Sequence, residues 1–317
     1  MKKIFSITIS LFLCFSLLAQ DDLLKMMEQE SPTKPSVVYA TFKSTRVINL
    51  QSNETMKAKH LDFRIQHRFG SVNMTKDNVY GLYDLFGMDL AKMRLSFDYG
   101  ITDRLMVGAG RTYGQYDFNL KFKILQQKTK GKGSSPISVD YFGAMGIDTK
   151  TFTDPSRDNF FTSRLAFVNQ LIISRKFNEW ISFELAPSMV HHNLVAFSST
   201  PNDIYALGIG ASFKITRSTR FNVEYIPRFN FGGARNAPLD ALGTIAYDEF
   251  AIGFDIETGG HVFQLHLTNA QGLIEQQFIT ENTSPLVLNK YQLNTLRLGF
   301  NLSRTFSFDN SAKKKAW

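Results

Sequence analysis

Residues 60–69, with the sequence HLDFRIQHRF, alternate apolar or ring-bearing side chains with polar ones. Leu61, Phe63 and Ile65 fall on one side of an extended chain, and Asp62 and Arg64 fall on the other. A repeat of two residues predicts a β-strand whose two faces lie in different environments. It does not by itself say which face meets water, and that choice decides what kind of protein this is.

The same alternation recurs along the chain, which predicts about twelve strands. Several of these segments are close to the length of about 9–11 residues that a tilted membrane-spanning strand needs. The predicted strands are residues 60–69, 92–101, 104–112, 116–125, 137–147, 160–177, 180–191, 205–215, 221–225, 249–257, 263–268 and 296–303.

The connections between these segments alternate in length. Short turns are predicted at 102–103, 178–179, 217–219 and 259–260, and long polar segments near 70–90, 148–158, 192–203, 230–246 and 270–290. This alternation is typical of outer-membrane barrels, which have tight periplasmic turns and extended outer loops. Two connections depart from it: 126–136 is long where a short turn is expected, and 112–115 is short where a long loop is expected.

The chemistry of the two faces favours lipid outside. The apolar face is almost uniformly large, whereas the polar face mixes Gly, Ala and Ser with charged residues. A soluble sandwich or lipocalin-like barrel shows the same alternation with the apolar face inward. An apolar surface this large would not be tolerated in water, and lipid covers it most simply in a closed sheet. We therefore predict an all-β fold, a transmembrane antiparallel up-and-down β-barrel of about twelve strands.

The two ends of the chain lie outside the predicted barrel, residues 59–308. Residues 1–20 have the basic start, apolar run and small residue of a secretory signal peptide, and they contain the only cysteine, Cys14. Residues 21–58 are predicted to be a periplasmic leader with a short helix, and 309–317 a polar, Lys-rich tail. These features predict export to the outer membrane of a Gram-negative bacterium, with membrane lipid and the barrel assembly machinery as partners.

Three segments carry a family resemblance: LDFRIQHRFG (61–70), RLSFDYGITDRL (94–105) and GGHVFQLHLTNAQG (259–272). They resemble a Bacteroidetes-type family of outer-membrane β-barrels of unknown function. The resemblance covers most of the mature chain and implies the location and the fold. It carries no catalytic residue to this sequence.

The most informative chemistry is the set of charges on the predicted inner face. Their signs nearly balance, which is compatible with ion pairs that fill the interior or with a narrow, slightly anion-favouring channel. The lumen-lining candidates are Asp62, Arg64, Arg68, Lys92, Arg94, Asp98, Lys121, Arg164, Glu224, Asp255, His266 and Arg297.

Other motifs point to little further chemistry. Adjacent His191 and His192 would point to opposite faces of a strand, so they cannot chelate one metal ion there. The pairs Gly108/Gly110 and Gly208/Gly210 lie inside predicted strands, where small residues relieve crowding or permit bending. No cofactor, metal site or catalytic residue is predicted.

The formal charge falls from +8 to +6 when Lys2 and Lys3 are removed with the signal peptide. Such a modest, scattered excess does not indicate a nucleic-acid partner. The predicted function is a passive channel or a barrel that binds a small hydrophilic or anionic solute. The alternatives are an outer-membrane lipid-modifying hydrolase and a structural or surface-interaction barrel that transports nothing.

Overall fold

A computed structural model shows a closed barrel of twelve antiparallel strands. The structure describes residues 36–71, 88–129, 133–152, 158–195, 197–198, 200–240, 242–286 and 295–308. The predicted signal peptide, the predicted leader helix and the Lys-rich tail lie outside these ranges. The fold class predicted from the alternating pattern is confirmed.

Each strand pairs with its neighbours in the chain, and β1 pairs with β12 to close the sheet. The strands are β1 (His60–Ser71), β2 (Lys92–Gly100), β3 (Leu105–Thr112), β4 (Gln115–Leu125), β5 (Ser138–Asp148), β6 (Leu165–Lys176), β7 (Ile181–His192), β8 (Asp203–Lys214), β9 (Thr219–Ile226), β10 (Glu249–Thr258), β11 (His261–Thr268) and β12 (Arg297–Ser307). One short α-helix, α1 (Glu275–Thr280), lies between β11 and β12.

The closing pair of strands removes the free edges of the sheet. It runs from His60 opposite Ser307 to Arg68 opposite Gly299. Closure matters because backbone groups in a bilayer have no water to bond with, so a spanning sheet must satisfy all of them internally. In the described part of the chain, none of the helices is both long enough and apolar enough to span a bilayer.

The two faces of the strands differ in the way the alternation requires. In β2 the outward Phe97 is 51% exposed, whereas its neighbour Ser96 is fully buried and Arg94 is 1% exposed. The outward rings also contact one another across strands, as Phe63 and Phe97 do with their centroids 5.0 Å apart. Large apolar side chains therefore cover the outside, and polar side chains turn inward.

The connections fall at two ends that differ in character. One end, which we call the short-turn end, carries the connections 101–104, 177–180, 215–218 and 259–260 and both termini of the barrel. The other, the long-loop end, carries 149–164, 193–202, 227–248 and 269–296. Both exceptions seen in the sequence are present: a tight link at 113–114 and a long connection at 126–137.

The interior of the barrel is occupied by part of the predicted leader. Residues 41–54, which we call the plug, are buried almost throughout. We predicted that residues 21–58 form a periplasmic leader, and the structure places residues 41–54 of this range inside the barrel. The physical reason is that the charged inner wall needs hydrogen-bonding partners, which the polar plug supplies.

The outward position of Phe97 leads to a prediction about stability in lipid. We expect Phe97→Arg to destabilise the folded barrel by about 2–4 kcal/mol, because a charge near mid-strand on the outer face would lie in acyl chains. Phe97→Leu is the matched control and should cost much less. Urea unfolding in lipid vesicles measures both, and equal costs would contradict a lipid-facing outer surface.

Candidate functional site: a plugged lumen

The plug is folded as a tight hairpin. The backbone N–H of Val47 donates to Leu50 O at 2.8 Å, and that of Ser52 donates to Thr45 O at 3.0 Å. Asn49 lies in the turn, which suits a residue type that is common in turns. The hairpin thus presents a compact tip, residues 47–50, to the wall of the barrel.

Glu224, on β9, binds this tip from the wall. Its carboxylate accepts the backbone N–H groups of Ile48 at 3.0 Å, Asn49 at 2.8 Å and Leu50 at 3.1 Å. Three successive N–H groups that point to one anion form a nest, in which the peptide dipoles stabilise the negative charge. Glu224 is fully buried, so these bonds replace its hydration.

The carbonyl groups of the tip have partners as well. Gln264 Nε2 donates to Val47 O at 3.0 Å, and Asn301 Nδ2 donates to Ile48 O at 3.1 Å. The carbonyl of Asn49 accepts from the Arg46 guanidinium, and that of Leu50 accepts from Val47. Every backbone N–H and C=O group of residues 47–50 is therefore hydrogen-bonded, as burial requires.

Lys121, on β4, holds the stem of the hairpin. Its Nζ donates to the carbonyl oxygens of Thr45 at 3.0 Å, Ser52 at 2.8 Å and Glu54 at 3.1 Å. An ammonium group has three donors, and all three are used on the plug. Lys121 and Glu224 thus bind opposite ends of the peptide dipoles of one hairpin.

The arginines of β1 and β2 combine wall and plug contacts. Arg64 pairs with Asp62 at 2.8 Å and donates from the same nitrogen to Thr45 Oγ1 at 2.6 Å. Arg94 Nε donates to Asp117 Oδ1 at 3.0 Å, which is a pair within the wall. These two ion pairs lie within the wall, and Arg64 extends the first of them to the plug.

The structure places the predicted lumen residues in two groups. The first group is buried inside the barrel: Asp62, Arg64, Arg68, Arg94, Asp98, Lys121, Glu224, Asp255 and His266. The second group is half-buried and lines a cleft at the long-loop end: Lys92, Arg164 and Arg297. In the first group, Asp255 accepts from Gln264 at 2.8 Å, whereas neither ring nitrogen of His266 has a partner among the described residues.

The inner wall is not polar all round, which the pattern of charges did not indicate. A buried apolar cluster joins the inward side of β5–β9 to the plug, to α1 and to Ala270. Its members are Phe42, Val47, Leu50, Phe142, Val168, Ile172, Ala186, Val190, Ala206, Ile226, Ala270, Phe278 and Ile279.

Glycines of β8 make room for the plug. A Cβ atom added to Gly208 would lie 2.5 Å from Leu50 Cδ1, and one added to Gly210 would lie 3.2 Å from Val47 Cγ2. Small residues were predicted at these positions to relieve crowding, and the crowding comes from the plug. The plug therefore fits into the wall by shape as well as by charge.

The helix α1 enters the lumen from the long-loop end and meets the plug there. Its Glu275 carboxylate accepts from Arg46 Nη1 and from Gln51 Nε2, each at 2.8 Å. Burial lowers the pKa of Arg46, and the Glu275 carboxylate opposes this shift. The helix thus bridges the plug and the long-loop end of the barrel.

The adjacent histidines point in different directions. His191 Nδ1 lies 2.7 Å from Asp203 Oδ1, and His192 Nε2 lies 2.9 Å from Thr280 Oγ1 of α1. Among the residues that the structure describes, no group of three or more His, Cys, Asp or Glu side chains could hold a metal ion.

The plug is the functional element that the sequence reasoning missed. Residues 37–50 have a β-type composition with only weak alternation, and nothing in residues 41–54, TFKSTRVINLQSNE, predicts that they fill a barrel. The available signal was indirect: the inner face of β8 has Gly208 and Gly210 where a barrel of this width needs filling.

A family model described as "Membrane bound beta barrel domain (DUF5777)" matches residues 42–306. This confirms the resemblance to a β-barrel family of unknown function, whereas its Bacteroidetes origin stays a prediction. No protein with a curated description matches the chain.

Solved structures share the general shape at low identity. A NanC porin aligns with a TM-score of 0.44 and 11% identity over 78% of this chain and 99% of its own. An outer-membrane channel from Pseudomonas putida F1 aligns with a TM-score of 0.44 and 10% identity over 80% and 97%. Outer membrane phospholipase A from Escherichia coli aligns with a TM-score of 0.36 and 9% identity over 81% and 95%. Similarity at this level carries no argument about activity.

The nest around Glu224 leads to a prediction about the plug. In Glu224→Ala three buried N–H groups lose their acceptor, at a cost of about 1–3 kcal/mol for each group left unsatisfied. We expect the backbone amides of residues 48–50 to exchange with deuterium at least about tenfold faster, since 1.4 kcal/mol corresponds to a factor of ten. Mass-spectrometric hydrogen exchange on the detergent-solubilised protein measures this.

Glu179→Ala, at an exposed carboxylate in the turn between β6 and β7, is the matched control. It should leave the exchange of residues 48–50 unchanged. Equal protection in the Glu224→Ala protein and in the wild type would show that the nest does not hold the plug.

Proposed function

Because the chain belongs to the family of membrane-bound beta barrel domains, we propose that it is an outer-membrane channel for small hydrophilic solutes, closed at rest by the plug. The observation that carries this proposal is that polar groups of the barrel wall bind the backbone of the plug. If the plug were removed, those groups would line an aqueous passage. Glu224 and Lys121 are the two main examples.

The width of the barrel supports a passage. Barrels of about eight strands are filled by their own side chains, and those of 16–18 strands leave a channel. Twelve strands lie between these cases, and here the space is filled by a hairpin rather than by wall side chains. If the plug leaves, the space opens, while the wall keeps pairs of its own such as Arg94 with Asp117.

The way the plug is attached allows it to leave without threading. Before the hairpin, Val38 N donates to Gln127 O in the connection 126–137, at the short-turn end. After the hairpin, residues 55–59 lead directly into β1 at the same end. Since both arms emerge at one end, the hairpin can slide out as a loop.

The energies are compatible with reversible closure. A hydrogen bond exchanged for one to water changes stability by only about 0.5–1.5 kcal/mol. The apolar contacts of Val47 and Leu50 with the wall add about 1.5–3 kcal/mol for each fully buried side chain. A plug held mainly by exchangeable polar contacts can therefore open without unfolding the barrel, whose strand ladder does not include it.

We propose no catalytic role. A lipid hydrolase needs a nucleophile that is hydrogen-bonded to a base. In the described part of the chain, the hydrogen bond of His191 goes to Asp203, and the Thr280 hydroxyl beside His192 donates to Gln276 O at 2.5 Å rather than to the ring. The channel is therefore the function that the arrangement supports best.

A reversible lock tests the role of the plug. Val47→Cys together with Gly210→Cys places two thiols on side chains that face each other across plug and wall. We expect the oxidised protein to show no channel openings in planar bilayers, because the disulfide keeps the plug in the lumen. Reductant should restore channel openings like those of the wild type. In each single-cysteine protein, oxidation should leave the channel openings unchanged.

Removal of residues 41–54 is the complementary measurement. We expect this variant to conduct persistently, because the lumen then contains water. Its folding is checked by faster gel mobility before boiling than after. A folded variant that does not conduct would overturn the channel proposal.

A further inference from the structure

A cleft at the long-loop end of the barrel has the chemistry of a binding site. It consists of two adjoining cavities of about 350 Å³ and about 140 Å³, which share Lys150 and Glu281 on their walls. We call this the outer cleft. It lies above the plug, and α1 forms part of its floor through Gln276 and Gln277.

The charges that line the outer cleft are mainly positive. Four cationic side chains against two carboxylates leave a formal excess of two positive charges. The cationic residues are Lys92, Lys150, Arg164 and Arg297, and the carboxylates are Asp148 and Glu281.

The four cations differ in how they are held. Arg164 is fixed by bonds from its Nη1 to Asp148 O at 3.0 Å and to Lys150 O at 2.6 Å. Arg297 is fixed by a bond from its Nη1 to Ser284 Oγ at 2.7 Å. Lys92 and Lys150 line the cleft, and neither ammonium group donates a hydrogen bond to a residue that the structure describes.

Glu281 adjusts the charge of the cleft. Its side chain lines both cavities, and desolvation by the protein around the cleft raises its pKa to about 7. Lys150 opposes the shift, the nearby Asp148 adds to it, and Lys92 opposes it. Below neutral pH Glu281 is protonated, and the positive excess of the cleft grows.

We infer that the outer cleft binds a small organic acid. Its anionic group would lie between the ammonium groups of Lys92 and Lys150. Charge-assisted bonds from lysine to a carboxylate are among the stronger hydrogen bonds in proteins. The amides of Gln115 and Gln276 line the larger cavity and that of Gln271 the smaller one. Gln276 Nε2 donates to Gln115 Oε1 at 3.3 Å and Gln271 Nε2 donates to Leu90 O at 2.7 Å, so only the remaining amide groups could bond hydroxyl groups of the solute.

The binding site adjoins the contact that holds the plug. The helix α1 offers Glu275 to the plug, Gln276 to the cleft, and Glu281 directly after its last turn. A solute that binds Gln276 or Glu281 therefore contacts α1 or the residue directly after it, and α1 is the helix whose Glu275 pairs with Arg46 of the plug. This coupling rests on the proposed function, whereas the binding itself does not.

Binding is tested by titration calorimetry with gluconate and with glucose, its uncharged counterpart. We expect gluconate to bind saturably and glucose not to bind. The double variant Lys92→Gln with Lys150→Gln should weaken gluconate binding by at least about tenfold, which is about 1.4 kcal/mol. Glu281→Gln, of nearly the same shape, should strengthen it.

The pH dependence supplies a second readout. As pH rises from 6 to 8, Glu281 loses its proton and adds a negative charge, so gluconate affinity should fall in the wild type. The fall should be absent in Glu281→Gln. All variants are checked for folding by their gel mobility before and after boiling.

Three outcomes would overturn the inference: equal binding of glucose, unchanged affinity in the double lysine variant, or binding of inorganic phosphate without binding of gluconate. Planar-bilayer recordings separate this inference from the channel proposal. If gluconate binds but the protein never conducts, the binding site is supported and the channel proposal is contradicted.

Discussion

The structure depends on one constraint: a closed sheet of twelve strands surrounds more space than its inward side chains fill, and charges in that space need partners. Wall pairs such as Arg64 with Asp62 satisfy part of this need. Lys121 and Glu224 cannot be satisfied in this way, because their partners are backbone groups of the plug. The plug therefore belongs to the electrostatics of the wall, and its polar sequence follows from that position.

The strands could be predicted because each of them separates two environments. Apolar and polar residues therefore alternate along the sequence of each strand. The first strand was predicted at 60–69 and is observed at His60–Ser71. The plug could not be predicted in this way. Protein surrounds it on all sides, so no face of it repeats along the sequence. Its contacts also join distant parts of the chain: Asn49 and Glu224 are 175 residues apart. Glu224 could be predicted to face inward, but its partner could not.

The apolar part of the lumen shows a second limit of pattern reasoning. Ile172 on β6 and Val190 on β7 face inward and are fully buried, although they stand beside outward apolar residues in the sequence. In such runs the period of two is lost, because both faces are apolar for different reasons. The outer face meets lipid, and the inner face meets the plug and α1.

One of the two exceptions in loop length is connected to the plug. The long connection at 126–137 lies at the end where turns are otherwise short, and it pairs with residues 36–38 just before the hairpin. Its extra length thus provides a docking strand that keeps both arms of the hairpin at one end. At the other end α1 bonds the plug through Glu275. Arg46 and Gln51 of the plug both bond Glu275 of α1. Any effect of plug movement on solute affinity at α1 is therefore matched by an equal effect of the solute on the plug.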